Sequence, residues 1–140
     1  MPRKVTKLRE PERDYSHRAL LDKLGVKRGQ RISIFGVQDA AFLKDLAAVI
    51  PHVSRRKLQK ESEIIFLAAE DLKSLARIES LESYLKRNGA IWVVYPKGQK
   101  HIREVDVIAA GKAAGLVDNK VCRFSETHTA LRFVIPLARR

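Results

Sequence analysis

Two unbroken apolar runs constrain this chain more than any other feature. Ile64-Ile65-Phe66-Leu67-Ala68 and Ala90-Ile91-Trp92-Val93-Val94-Tyr95 are short and rich in β-branched and aromatic residues. A strand that is apolar on both faces must be covered on both faces, a condition met by a parallel sheet with helices on either side. Around these runs the apolar spacing changes to three and four residues. Asp39 is placed to cap a helix carrying Phe42, Leu43, Leu46, Ala47, Val49 and Ile50, which Pro51 stops. Glu70 and Asp71 open another, with Leu72, Leu75, Ile78, Leu81 and Leu85 on one side and Asn88-Gly89 as its end. A further helix runs from Arg103 to Ala114 with Val105, Ile108 and Ala109 inward, and Gly115 terminates it.

The remaining elements complete the alternation. Ser16 can cap a short helix with Ala19, Leu20, Leu21 and Leu24, stopped at Gly25. Arg31 to Gly36 reads as a strand, and Val53 marks a short second one inside a basic loop. Leu116 to Phe124 and Ala130 to Leu137 flank Ser125-Glu126-Thr127-His128-Thr129 as an antiparallel hairpin. Strands alternating with helices imply right-handed crossovers. The expected fold is therefore α/β, a three-layer αβα, Rossmann-like arrangement with a mainly parallel sheet and an antiparallel C-terminal hairpin.

Charge divides the chain. The 140 residues hold 28 Lys/Arg against 16 Asp/Glu, a net +12, while 45% hydrophobic residues require a packed core. Residues 1–14 read as a basic arm without apolar periodicity, and residues 15–140 as a single α/β domain. Arg3, Lys4 and Lys7 in the arm, with Arg55, Arg56, Lys57 and Lys60 in the loop, are candidate nucleic-acid contacts, because clustered cations displace counterions from phosphate backbones. The alternative partner is an acidic protein surface. Aromatic residues are 6% of the chain and none interrupts either basic stretch, which argues against a platform for stacked bases.

A single cysteine, Cys122, excludes an internal disulfide and reads as a structural thiol. His17, His52, His101 and His128 lack the short spacings of a metal site and read as surface or loop residues, so no metal is expected. No apolar run is long enough to span a membrane. Together these features predict a cytoplasmic protein without a membrane partner.

The lead-in Leu24-Gly25-Val26-Lys27-Arg28-Gly29-Gln30-Arg31 and the later Leu85-Lys86-Arg87-Asn88-Gly89-Ala90-Ile91-Trp92-Val93 resemble class I S-adenosylmethionine-dependent methyltransferases. Gly115 to Cys122, with Glu126-Thr127 through Leu131-Arg132-Phe133, is similar to a family of small bacterial proteins known only as a domain of unknown function. That family usually has Trp at the position of His128 and Asp at that of Ser125. The resemblance implies a truncated methyltransferase-like fold lacking the third strand and its helix. It also implies a ligand crevice at the carboxyl ends of the strands, formed by Gly36, Gln38 and Asp39 with the hairpin residues Asp118, Asn119, Lys120, Glu126, Thr127 and Arg132.

Cofactor chemistry is testable at the residue level. The methyltransferase loop needs glycines where main chain passes the cofactor, and here only Gly36 fits, with Gln38 and Ala40 in place of the others. Ile34 occupies the place of an acidic residue. Val53-Ser54-Arg55-Arg56 stands where a carboxylate would hold the ribose hydroxyls. Asp71, Lys97 and Glu126 fall at strand ends in the pattern of the Lys-Asp-Lys-Glu set of ribose methyltransferases, though each is also explained by a cap or a turn. These substitutions predict a non-catalytic binding or accessory protein with no cofactor, two of its three close-approach positions being blocked by Gln38 and Ala40. The alternatives are an S-adenosylmethionine-dependent RNA methyltransferase with an atypical loop, or a non-specific nucleic-acid binder using its arm.

Overall fold

The computed structural model describes residues 19–140. The arm over 1–14 with Arg3, Lys4 and Lys7, the Ser16 cap and His17 lie outside the described residues. The chain enters through α1, helical over 19–23, and turns at Gly25 with φ +79°. Strand β1 (Ile32–Phe35) leads into α2 (Ala40–Val49), and β2 (Ser62–Ala68) follows. A series of short turns, with α3 (Ile78–Leu81) between two 3₁₀ segments, leads to the long β3 (Leu85–Pro96). Helix α4 (Glu104–Ala113) then gives way to the hairpin of β4 (Val117–Arg123) and β5 (His128–Val134).

The five strands lie in the order β1-β2-β3-β5-β4. The first three are parallel, and β5 is antiparallel to both β3 and β4. Side chains alternate across this sheet and sort into two cores. Ile65, Leu67, Ile91, Val93, Leu131 and Phe133 face α3 and α4, whereas Ile64, Phe66, Trp92, Val94 and Ala130 face α1 and α2. That division is the αβα sandwich expected from the apolar runs. Trp92, fully buried, fixes the N-terminal layer by donating its Nε1–H to the carbonyl of Leu24 at 2.9 Å.

Three local expectations need correction. The segment after β2 is not one helix ending at Asn88-Gly89: it breaks into single turns over 72–84, and Leu85 to Gly89 already belong to β3. Ser74, Ser80 and Ser83 bond back to nearby side-chain or main-chain groups, which competes with a continuous helix. Leu85 pairs with Ser62 beside a bulge, and a Cβ on Gly89 would sit 2.8 Å from the Glu63 carbonyl oxygen. Gly89 is thus required by close strand approach, not by a helix stop. In α4 Val107 and Gly111 are buried and Ile108 packs against the same core as expected, while Val105 and Ala109 are exposed. Val53 does not form a strand; its neighbour Ser54 makes a single parallel bridge to Ser33.

Candidate functional site

The parallel strands and the β4–β5 turn direct their ends to one edge of the sheet. There, a cavity of 460 Å³ is lined by Gly36, Gln38 and Asp39 after β1, Ala68 and Glu70 at the end of β2, and Thr127 and His128 at the start of β5. Gly36 has φ +87°, a left-handed conformation that favours glycine, whereas a Cβ there would make only ordinary contact with Ala68 at 3.4 Å. Asp39 caps α2 by accepting from Phe42 N–H at 3.0 Å. The expected crowding of this hollow does not occur. Phe42 turns into the core, with ring centroids 5.1 Å from Phe66 and 4.8 Å from Phe124, and Gln38 stays at the exposed rim.

The chemistry of the cavity lies in a chain of side chains that sequence reasoning missed. Glu70 Oε2 is 2.8 Å from His128 Nε2, and His128 Nδ1 is 2.8 Å from Thr127 Oγ1. His101 Nε2 meets the Glu70 carbonyl oxygen at 2.9 Å and steadies the same loop. With Nε2–H donating to the carboxylate, the neutral imidazole presents its Nδ1 lone pair to the Thr127 hydroxyl. His128 is therefore not an isolated loop residue. The carboxylate at the cavity is Glu70, one position before the candidate Asp71.

Asp71 itself is occupied as a cap. It accepts from Ser74 N–H at 2.9 Å and Ser74 Oγ–H at 2.8 Å, bonds that hold its carboxyl below the usual range. Lys97 lines a separate cavity of 430 Å³ with Gly98 and Thr129. Glu126 is exposed in the hairpin turn, and its neighbours Thr127 and His128 face the 460 Å³ cavity. The set Asp71, Lys97 and Glu126 does not converge on that cavity.

The hairpin candidates also divide. Thr127 lies at the cavity, but Asp118, Asn119 and Lys120 lie further along β4, opposite Phe133 and Arg132 and away from the turn. Arg132 donates to Asn119 Oδ1 at 3.3 Å, and Lys120 Nζ donates to the Lys23 carbonyl at 2.9 Å. Burial, then the charge of Arg140, lowers the pKa of Arg132. Cys122 is half-buried and burial pushes its thiol up, away from thiolate chemistry. Among the described residues, no three His, Cys, Asp or Glu side chains are grouped to hold a metal ion. No helix among them is long and apolar enough to cross a membrane.

Gly36 is also a wall of a second cavity, of 290 Å³, whose other lining includes Phe35, Arg55, Arg56, Lys57 and Tyr84. The two hollows meet at bare main chain.

No family model and no curated protein sequence matches the chain. Solved structures do. A SAM-dependent methyltransferase from Aquifex aeolicus superposes with a TM-score of 0.68 at 16% identity, over 97% of this chain and 99% of that one. The N-methyltransferase NodS from Bradyrhizobium japonicum WM9 gives 0.60 at 16% identity, over 91% and 96%. Magnesium protoporphyrin IX methyltransferase from Synechocystis PCC 6803, a structure with bound SAM, gives 0.62 at 14% identity, over 88% and 77%. These likenesses to SAM-dependent methyltransferases run against the expectation of a non-catalytic scaffold. The chain has the Rossmann-like fold of class I methyltransferases.

Proposed function

We propose that the protein is an S-adenosylmethionine-dependent methyltransferase acting on a hydroxyl or amine. One observation carries the reading: on this fold, the cavity beside Gly36 has a carboxylate–imidazole–hydroxyl chain in its wall. The main chain of Gly36 and the turn to Asp39 fit a cofactor that needs close backbone approach. The fit does not extend to ribose recognition by a carboxylate after Val53, since that segment carries Arg55 and Arg56, which line the adjoining 290 Å³ cavity and not this one.

When bound, S-adenosylmethionine supplies an electrophilic methyl group on a sulfonium sulfur. The residues of this chain then have a proton to manage. An acceptor O–H or N–H entering the cavity gives its proton to Thr127 Oγ1 as the Thr127 hydroxyl proton passes to His128 Nδ1. The resulting imidazolium is offset by the exposed carboxylate of Glu70 at Nε2.

Calorimetric titration of the folded chain with S-adenosylmethionine tests the reading. Saturable binding that weakens on replacing Gly36 with valine, a residue that resists positive φ, is the expected result. Absence of heat at millimolar cofactor from a sample with a cooperative melt rejects it.

A further inference from the structure

We infer that the 290 Å³ cavity at the end of β1 is a nucleotide site, with Arg55, Arg56 and Lys57 taking a phosphate and Phe35 and Tyr84 flanking the base. The proposal goes beyond methyl transfer and does not depend on it. Three observations converge on this cavity.

The first is charge without internal compensation. Three consecutive cations line the cavity and no acidic side chain does. Among the described residues, none of the three belongs to an ion pair. Cations that are not used to pair within the fold remain available to an anion, and guanidinium groups match phosphate in a bidentate way.

The second is preorganisation. The basic segment is strapped to β1 at both ends. Ser54 N–H donates to the Ile32 carbonyl at 3.1 Å, Ile34 N–H donates to the Ser54 carbonyl at 2.8 Å, and Gln59 N–H donates to Ser33 Oγ at 3.0 Å. The Ser54 hydroxyl donates to the Lys57 carbonyl. These bonds remove much of the ordering entropy that a loose loop would lose on binding.

The third is the aromatic lining, which the sequence order hides. Phe35 comes from β1 and Tyr84 from the turn before β3, and both reach the basic segment only in the folded chain. Each ring carries a further cation, with Arg77 4.7 Å from the Phe35 centroid and Lys60 Nζ 5.1 Å from that of Tyr84. Rings for a planar base beside cations for phosphate describe a nucleotide better than a sugar phosphate or an inorganic anion.

Calorimetry of the full chain with adenosine 5′-monophosphate and with adenosine, both without S-adenosylmethionine, separates this proposal from the methyltransferase reading. The monophosphate should bind about tenfold or more tightly than the nucleoside, the scale of one charge-assisted hydrogen bond. Arg55→Ala with Arg56→Ala should erase that difference while the melting temperature holds, since both side chains are exposed. Lys86→Ala with Lys112→Ala, exposed residues away from the cavity, removes equal charge and should preserve it. Equal binding of nucleotide and nucleoside, or equal loss in both double variants, overturns the proposal. A short oligoadenylate then identifies the source: an excess over the monophosphate that vanishes with the arginines assigns the nucleotide to a strand, and parity assigns it to a free nucleotide.

Discussion

Glu70 and His128 are 58 residues apart in the chain, yet the carboxylate of one lies 2.8 Å from the imidazole of the other. Parallel pairing of β2 with β3, and antiparallel pairing of β3 with β5, bring the end of β2 and the start of β5 to one edge. His128→Ala or Glu70→Gln should lower methyl transfer about 10²-fold or more, the usual contribution of a positioned base, while leaving cofactor binding within a factor of a few. Transfer of labelled methyl groups to a mixed acceptor pool, beside calorimetry, reads both quantities. Asp71→Asn is the contrast, because its carboxyl serves the Ser74 cap and its loss should leave transfer intact.

Gly111 lets α4 approach β5. A Cβ there would lie 2.0 Å from Cε1 of Phe133, a fully buried ring on the sheet. Alanine gains about 1 kcal/mol in helix propensity, but overpacking a dense core costs about 1–3 kcal/mol and more where nothing can yield. The clash should win, and Gly111→Ala should lower stability in chemical denaturation. Phe133→Leu introduced into that variant should recover part of the loss; no coupling between the two positions would refute the contact.

Asp39 has a cavity position and a structural duty, and the two can be separated. Asp39→Ala removes the bond to Phe42 N–H and should cost about 1 kcal/mol of stability, whereas Asp39→Ser keeps a capping oxygen and should cost much less. Equilibrium denaturation of both variants checks this. Equal losses would mean that the carboxylate acts through something other than the cap.

Glu82 ties the C-terminal turn to the segment before β3. Its carboxylate takes Arg139 at 3.0 and 3.1 Å and Arg87 at 3.3 Å, and the Arg139 bonds hold it below the ordinary glutamate range despite an opposing effect of burial. A depressed carboxyl contributes stability that is present above its unfolded value of about 4.3 and lost as pH falls through the folded value. The wild type should therefore exceed Glu82→Gln in stability at neutral pH and converge with it in acid. Melting curves across that range, with a constant difference at all pH values, would contradict the assignment.

The apolar runs Ile64–Ala68 and Ala90–Tyr95 determined by themselves that a sheet covered on both faces would form, because each strand has two apolar faces to bury. Asp39, Gly25 and Gly115 likewise announced their turns through local conformational preference. Local signals misled where a longer-range bond competed. Asn88-Gly89 carries the chemistry of a helix stop but was taken up by pairing between Ser62 and Leu85, and Val105 fits an inward pattern that Gly111 and Phe133 rotate outward.

The site divides on the same physical line. The positions of Gly36, Gln38 and Asp39 at the end of the first strand were legible from neighbouring residues, whereas Thr127 entered through the family resemblance. The pairing of Glu70 with His128, and the gathering of Phe35 and Tyr84 around Arg55 and Arg56, could not be read that way. Strand order and register place those side chains together, and both emerge only when the two cores close over the sheet.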